Sequence, residues 1–362
     1  MVAILQTLFA AYSFIIIWSM EDTLLAELST LLILQVSLPQ IFGLYGTQLL
    51  RQINITYGNV LALSLILGAF AGALACLITQ SLSTFSIIFI SVISFSLSFK
   101  LRSEEKLVTG ALIESFPRLI ILSLSYWNNG DGIYYFFHMI LVSITMIVIV
   151  NYKAFMQFYV SFDLRRQLNF SISNGLKVVE GIFFPIFVPQ EMLAMIIRGQ
   201  TLLRPAELII TGILRQFEIT IIDRYIYQRN VSRVASIVFF LSGMLLSIIY
   251  SYSINIINVK ITTLFLIQVL TLHVLKMVEY SLGFPGIRIR SELYSWSLEI
   301  FLKATLTSLA ISVISLYIYS LLLSQNYDHM LIEISAFVIF GSTTIVYKGL
   351  LWLSYGKYNE KI

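Results

Sequence analysis

Charged residues are scarce in this sequence, since Asp, Glu, Lys and Arg make up 12% of its 362 residues. A soluble domain has about 25%. Cys76 is the single cysteine, so a disulfide within the chain or a thiolate metal site is excluded. The three histidines, His138, His273 and His329, are far apart and lack the spacing of metal ligands. These absences argue against a large soluble enzyme, a disulfide-stabilised domain and a metal centre.

Nucleotide-binding and catalytic motifs are also missing from the sequence. It has no P-loop glycine pattern, no His-Glu-x-x-His pair and no serine in a Gly-x-Ser-x-Gly turn. We therefore expect no enzymatic activity, no metal, no cofactor and no nucleic-acid partner. Because nothing in the sequence indicates ATP hydrolysis, any transport would depend on an ion gradient or on the gradient of the substrate itself.

Apolar residues dominate what is present: 58% of the chain is hydrophobic and its mean hydropathy is +0.88. Apolar runs recur along the whole chain, and each is long enough to cross the hydrocarbon core of about 30 Å. The first run, residues 2–18, ends before the acidic Glu21 and Asp22 and has neither a basic start nor a small-residue cleavage site. We therefore expect a retained helix and not a signal peptide.

The alternation of apolar runs and polar interruptions predicts an all-α polytopic membrane protein with about twelve transmembrane helices and short connections. The predicted helices cover residues 2–19, 24–49, 58–79, 83–99, 107–127, 132–150, 168–188, 190–214, 234–256, 258–275, 297–323 and 330–352.

The distribution of Lys and Arg predicts the orientation of these helices. With a cytoplasmic N-terminus, seventeen Lys and Arg residues fall in cytoplasmic segments or, for Lys348, at the cytoplasmic end of a predicted helix, whereas the external segments contain Lys260 alone. Lys and Arg accumulate on the cytoplasmic side of membrane proteins. We therefore expect both termini to lie in the cytoplasm.

Two similar stretches indicate an internal repeat. The sequences TQLLRQIN at Thr47–Asn54 and TGILRQFE at Thr211–Glu218 lie 164 residues apart, and Glu27 matches Glu191 at the same offset. They belong to the second and eighth predicted helices, which implies two six-helix lobes of the same orientation around a central cavity. The predicted lobes are residues 1–150 and 168–362, joined by a cytoplasmic linker, 151–167.

Five basic residues fall inside predicted spans: Arg118, Lys177, Arg198, Arg204 and Lys303. A charge at the centre of a membrane helix costs about 2.5–3.5 kcal/mol on the insertion scale, so each needs a polar cavity or a partner. Helical spacing supplies acidic partners for four of them. The predicted pairs are Glu114–Arg118, Lys177–Glu180, Arg204–Glu207 and Glu299–Lys303.

Arg198 has no acidic residue three or four positions away in the sequence, and it lies beside Gly199, Gln200 and Thr201. One interpretation is an anion site on a cavity wall, because a planar guanidinium pairs well with phosphate oxygens. The other is an acidic partner on a different helix, for instance Glu180. The sequence leaves both open.

The layout resembles the Wzx-type polysaccharide repeat-unit flippases of the multidrug/oligosaccharidyl-lipid/polysaccharide exporter superfamily. The resemblance lies in EDTLLAELSTLLILQVSLPQIFGLYGTQLLRQ, where a short external loop leads through Glu27 into a second helix ending near Arg51. It recurs in VPQEMLAMIIRGQTLLRP at the start of the second lobe. Glu180 is the acidic residue nearest to an aspartate often found early in the seventh helix of these proteins.

The resemblance implies a flippase of the bacterial inner membrane that moves undecaprenyl-diphosphate-linked oligosaccharides by alternating access. Its partners would include membrane lipids, a polysaccharide polymerase and a chain-length regulator. For such a substrate the candidate phosphate-binding residues are Arg118, Lys177, Arg198 and Arg204, and the candidate acidic cavity or coupling residues are Glu114, Glu180 and Glu207.

Three other functions compete with this interpretation. The first is an ion-coupled multidrug or lipid exporter of the same superfamily. A multidrug exporter of organic cations would favour an acidic cavity, whereas five cations lie inside predicted spans here. An O-antigen polymerase typically has a large external loop, whereas the predicted external segments are short. A structural or assembly protein would not require charges at membrane depth, and such charges usually mark function.

Overall fold

The computed structural model of the chain describes residues 2–44, 56–104, 106–128, 164–201, 241, 263–281, 297–324 and 329–359. These residues form helices joined by turns, the arrangement that satisfies backbone hydrogen bonds in an apolar medium. Within them, six helices are long and apolar enough to cross a membrane, which supports a membrane protein. They cover Asp22–Phe42, Tyr57–Thr79, Leu82–Ser103, Leu107–Trp127, Leu302–Ser324 and Met330–Leu351.

The chain divides into two compact units, Met1–Ile186 and Phe187–Ile362. Residues 164–186, which the sequence assigns mostly to the second lobe, therefore pack with the first unit. The first predicted lobe boundary, at residue 150, and most of the predicted linker lie outside the described residues.

Five long helices build most of the first unit. They are α1 (Val2–Ser19), α2 (Asp22–Phe42), α3 (Tyr57–Thr79), α4 (Leu82–Ser103) and α5 (Leu107–Asn128). The helix α4 lies at the centre and packs against α2, α3 and α5, while α1 packs against α5. Buried aliphatic residues from α2, α3 and α4, such as Leu38, Ala71 and Val92, fill the space between these three helices.

A broken helical stretch ends the first unit and extends one residue beyond it, and we name Leu164–Phe187 the interrupted segment. It begins with α6 (Leu164–Ser173), turns at Asn174–Gly175, and continues as a short helical turn, Leu176–Val178. A π-helical turn, Val179–Phe183, and the helical residues Phe184–Phe187 follow. The segment packs against α2.

Four helices are described in the second unit. They are α7 (residues 190–201), α8 (Thr263–Ser281), α9 (Ser297–Ser324) and α10 (His329–Asn359). The helix α10 packs against both α8 and α9. Gly199 of α7 lies against the side chains of Leu272 in α8 and Phe337 in α10.

The predicted helices at 2–19, 58–79, 107–127 and 297–323 are confirmed to within one residue at each end. The six spans in the described residues support a helical membrane protein, whereas twelve spans and a six-plus-six repeat stay a prediction. Both repeated stretches, Thr47–Asn54 and Thr211–Glu218, lie outside the described residues, as do the predicted helix 132–150 and nearly all of 234–256.

The predicted helix 24–49 is wrong at its end, because α2 stops at Phe42. Gly43 then packs so closely against Phe95 that a β-carbon would collide with the aromatic ring. The Leu44 N–H donates to the Ser96 hydroxyl at 3.0 Å instead of continuing a helix. Tertiary contacts with α4 therefore end this helix, and a hydropathy pattern does not reveal them.

Three predicted helices are longer in the structure than in the sequence interpretation. The predicted helix 83–99 continues to Ser103 in α4, and the predicted helix 258–275 continues to Ser281 in α8. The helix α10 reaches Asn359 instead of 352. Lys276 and Glu279, one turn apart on α8, form an ion pair, so their charges are compatible with a continuing helix.

Candidate functional site

The interrupted segment contains a buried ion pair. The Lys177 ammonium lies 2.5 Å from a carboxylate oxygen of Glu180, which confirms the pair predicted from their spacing. The Glu180 side chain is 12% exposed and the Lys177 side chain 29%. A lysine ammonium has three donors, and this pair occupies one of them. The pair is therefore neutral as a whole, while its cationic end stays accessible.

Local backbone irregularity positions this pair. The Lys177 N–H donates to the Asn174 carbonyl and the Val178 N–H to the Gly175 carbonyl, both tighter turns than an α-helix makes. Glu180 then lies inside the π-helical turn. Single π-helical turns inside helices often occur at functional sites. At membrane depth, non-α-helical backbone is tolerated only against protein or a water-filled cavity.

The end of α2 holds the interrupted segment in place. The Ser171 hydroxyl donates to the Ile41 carbonyl at 2.8 Å, and the Gln167 amide donates to the Gly43 carbonyl at 3.2 Å. These bonds satisfy carbonyl groups that the end of a helix leaves open. Further along, a β-carbon on Gly181 would lie 2.5 Å from the Ser37 Cβ, so only glycine fits there without displacement.

Glu114 on α5 has a different partner from the one predicted. Its carboxylate accepts a hydrogen bond from the Arg102 guanidinium of α4. The predicted Glu114–Arg118 pair is therefore wrong. Gly110, one turn before Glu114, brings α5 so close to α4 that its hypothetical β-carbon would lie 2.9 Å from Arg102 Cγ. This close approach puts the guanidinium beside Glu114.

Arg118 is half-buried in the middle of α5, directly after Pro117. It lies eleven residues, or about 16 Å, from the start of the helix. Proline lacks an N–H, so the carbonyl four residues earlier loses its helical hydrogen bond. The helix α5 packs against α4 and α1, whereas the interrupted segment packs against α2. Arg118 and Lys177 thus lie on differently packed elements of the first unit.

Arg198 belongs to the second unit, where its side chain is half-buried on α7. The residues that follow it, Gly199 and Thr201, are buried, and the Thr201 hydroxyl donates to the Arg198 carbonyl at 2.8 Å. Arg204 and Glu207 lie outside the described residues. Whether Arg198 and Lys177 line one cavity stays a prediction.

Glu104, between α4 and α5, is the centre of a cluster that the sequence interpretation missed. The Tyr57 hydroxyl donates to its carboxylate at 2.6 Å, and the ammonium groups of Lys100 and Lys106 lie 3.1 and 3.2 Å away. Burial acts to raise the pKa of Glu104, but the three donors outweigh burial and hold it below its ordinary value. This cluster ties the start of α3 to the α4–α5 connection.

Glu279 on α8 forms a second such cluster. Its carboxylate lies 2.8 Å from the Lys276 ammonium and 3.1 Å from the Lys348 ammonium of α10. Burial acts to raise the pKa of Glu279, but the two lysines outweigh burial and lower it to about 2. This cluster joins α8 to α10, and no pattern in the sequence links Lys348 to Glu279.

The Glu299–Lys303 pair, also predicted from spacing, is confirmed at 2.6 Å on the first turns of α9. Its side chains are 62% and 72% exposed. The hydrogen bond from Lys303 lowers the pKa of Glu299. High exposure and a regular helix around the pair indicate an interfacial contact and not a binding site.

Within the described residues, no three or more His, Cys, Asp and Glu side chains are grouped so that they could hold a metal ion. No protein-family model, curated protein or solved structure matches the chain. The interrupted segment therefore supplies the candidate site of the first unit: an accessible ammonium group, neutralised by a buried carboxylate, on irregular helical backbone.

Proposed function

We propose that this chain is a transporter of the bacterial inner membrane that moves an undecaprenyl-diphosphate-linked oligosaccharide across the bilayer. The observation that carries the proposal is the Lys177–Glu180 pair on the interrupted segment. Interrupted helices with charged side chains at membrane depth are characteristic of transporter binding sites. The pair supports transport of an anion because its exposed end is cationic.

Lys177 would exchange partners during transport. In the absence of substrate, Glu180 neutralises the ammonium at 2.5 Å, so the site carries no net charge. A diphosphate entering the site competes with Glu180 for the donors of Lys177, and a charge-assisted hydrogen bond to phosphate replaces the one to carboxylate. Release is easy for the same reason, because Glu180 recovers the ammonium when the diphosphate leaves.

The remaining cations stay candidates for phosphate binding. They are Arg118 and Arg198, both half-buried in apolar helices, and Arg204, because a planar guanidinium pairs well with phosphate oxygens. Glu207 would balance Arg204. Glu114 accepts a hydrogen bond from Arg102, and in this proposal it positions α4 against α5.

The proposal is tested by glycan export in cells whose own flippase gene has been deleted and which express this chain. Lys177→Ala and Arg198→Ala should each reduce surface glycan severalfold, with lipid-linked oligosaccharide accumulating inside, at unchanged protein level. Arg198→Lys should restore export in part, because lysine keeps the charge but loses the planar two-point contact with phosphate. The double variant Glu299→Ala/Lys303→Ala, which removes an exposed pair, is the matched control and should export normally.

Purified protein in liposomes separates transport from indirect effects in cells. Movement of a lipid-linked diphosphate oligosaccharide from the inner to the outer leaflet should require the wild-type chain and fall in the Lys177→Ala variant. Movement of an undecaprenyl lipid without phosphate should not depend on Lys177. Normal export by both Lys177→Ala and Arg198→Ala at normal expression would contradict the proposed function.

A further inference from the structure

The second unit contains a polar cluster that the proposed transport site does not include. Gln268 of α8 donates an amide N–H to a carboxylate oxygen of Glu333 on α10 at 3.1 Å. Tyr319 of α9 lies close enough to feel the charge of Glu333. Three helices thus bring a carboxylate, an amide and a phenol together.

The three residues meet at one end of the second unit. Gln268 lies five residues after the start of α8, Glu333 four residues after the start of α10, and Tyr319 five residues before the end of α9. At 1.5 Å per residue, each is within about 8 Å of its helix end. The charge pattern of the sequence predicts that this end faces outward.

Two oxygen atoms of the cluster are buried and make no hydrogen bond within the described residues. Gln268 is fully buried and Tyr319 is 1% exposed, yet the Gln268 side-chain carbonyl and the Tyr319 hydroxyl make no hydrogen bond within the described residues. Burial of a polar atom without a hydrogen-bond partner is unfavourable. One of these atoms belongs to the residue that bonds the Glu333 carboxylate, and the other lies within reach of its charge. Together they point to a ligand that the three residues share.

The charge of Glu333 identifies the class of that ligand. Five other glutamates of the described residues pair with Lys or Arg, and Glu21, Glu27 and Glu191 are exposed. Glu333 is half-buried, and within the described residues it has the Gln268 amide as its hydrogen-bond partner and no ion pair. The residues with basic partners are Glu104, Glu114, Glu180, Glu279 and Glu299. A carboxylate inside an apolar helix needs a compensating positive charge.

We propose that Glu333, Gln268 and Tyr319 form a binding site for a monovalent metal cation, with Na⁺ as the ion to test. All available ligand atoms are oxygens, which hard cations prefer. A single carboxylate balances one positive charge and not two. Glu333 is half-buried, so water can complete the coordination from the open end of the helices.

The site extends beyond the proposed function, and its use in driving transport would rest on that function. A cation entering at this end would supply the gradient that a chain without ATP-hydrolysis motifs requires. The binding test below contains no lipid-linked oligosaccharide. Failure of cation binding therefore leaves oligosaccharide transport standing, and failure of transport leaves the cation site standing.

The test is equilibrium binding of radioactive ²²Na⁺ to the purified full-length chain in detergent, with choline chloride holding ionic strength constant. The wild type should bind ²²Na⁺ saturably, with displacement by unlabelled Na⁺. Glu333→Gln should weaken binding at least tenfold, because the amide keeps the shape but loses the charge. Tyr319→Phe and Gln268→Leu should weaken it severalfold, since each removes one oxygen ligand.

Glu299→Gln is the control, since it removes an exposed carboxylate of α9 far from the cluster, and it should bind like the wild type. Gel filtration establishes that each variant is folded, and Glu333→Asp replaces Glu333→Gln if the latter aggregates. Displacement of bound ²²Na⁺ by K⁺ or Li⁺ would support the site and would measure its selectivity among monovalent ions. The proposed site is overturned if the wild type shows no saturable Na⁺ binding, which includes the case where only a proton binds. It is also overturned if folded Glu333→Gln binds Na⁺ as well as the wild type does.

Discussion

The Lys177–Glu180 and Glu299–Lys303 pairs look alike in the sequence, yet they lie in opposite environments. Each pairs a lysine with a glutamate at helical spacing, and the distances are 2.5 and 2.6 Å. The first is buried on an interrupted helix that α2 supports, whereas the second is mostly exposed on a regular helix. The comparison teaches that spacing predicts that a pair forms but not how much the pair contributes to stability, because that contribution depends on burial.

The largest effect should come from breaking the buried pair. Glu180→Ala leaves the Lys177 ammonium partly buried without its carboxylate, and breaking a buried pair costs about 3 kcal/mol or more. We expect a clear drop in the thermal melting midpoint of the purified protein, measured by loss of its monodisperse gel-filtration peak. Glu299→Ala is the matched control and should leave the midpoint unchanged. Equal drops in the two variants would remove the distinction between the pairs.

Gly181→Ala tests the support of the buried pair without touching its charges. The new methyl group would lie 2.5 Å from Ser37 Cβ, so the interrupted segment must move away from α2. Overpacking of this kind costs about 1–3 kcal/mol, and it should lower both the melting midpoint and glycan export. Adding Ser37→Gly removes the clashing atom and should recover part of the loss.

Gly349→Ala on α10 is the control for the effect of alanine alone. Nothing lies within 4 Å of a β-carbon at this position, and alanine favours a helix by up to about 1 kcal/mol over glycine. Its melting midpoint should therefore stay or rise. A drop equal to that of Gly181→Ala would show that steric contact with Ser37 is not the cause.

Acid should weaken a third ion cluster, that of Glu279. Its folded-state pKa of about 2 lies below the ordinary 4.5, so the stabilisation is complete above about pH 4.5. It is lost as the pH falls from there towards 2, because the unfolded chain binds the proton first. We expect the melting midpoint to fall across this acidic range in the wild type and to fall less steeply in Glu279→Gln. Glu299→Gln should change the slope less than Glu279→Gln, because Glu299 is exposed and has one lysine partner instead of two. An unchanged slope in Glu279→Gln would contradict the assignment.

The smallest effect belongs to the exposed pair. The side chains of Glu299 and Lys303 are mostly exposed, so salt screens the attraction between them. Exposed ion pairs contribute little to stability. Glu299→Gln should give the wild-type melting midpoint at low and high salt. A salt-dependent loss in this variant, absent from Glu180→Ala, would reverse the ranking of the two pairs.

The sequence by itself determined the helical membrane class and much of the local pattern. Long apolar runs require helices, because backbone groups in lipid must bond within their own segment. The helices α1, α3 and α5 consequently follow the runs to within a residue. Spacing of three or four residues likewise sufficed for Lys177–Glu180 and Glu299–Lys303, since both partners lie on one helical surface.

Only the tertiary structure decided which charges are buried and which partners come from other helices. Glu114 pairs with Arg102 because Gly110 lets α5 approach α4, and α2 ends at Phe42 because Gly43 packs against Phe95. Hydropathy describes the preference of each residue for lipid or water. It contains no information on which side chain of a neighbouring helix lies within hydrogen-bonding distance of that residue. The meeting of Gln268, Tyr319 and Glu333 therefore depended on the packing of three helices and not on any spacing along the chain.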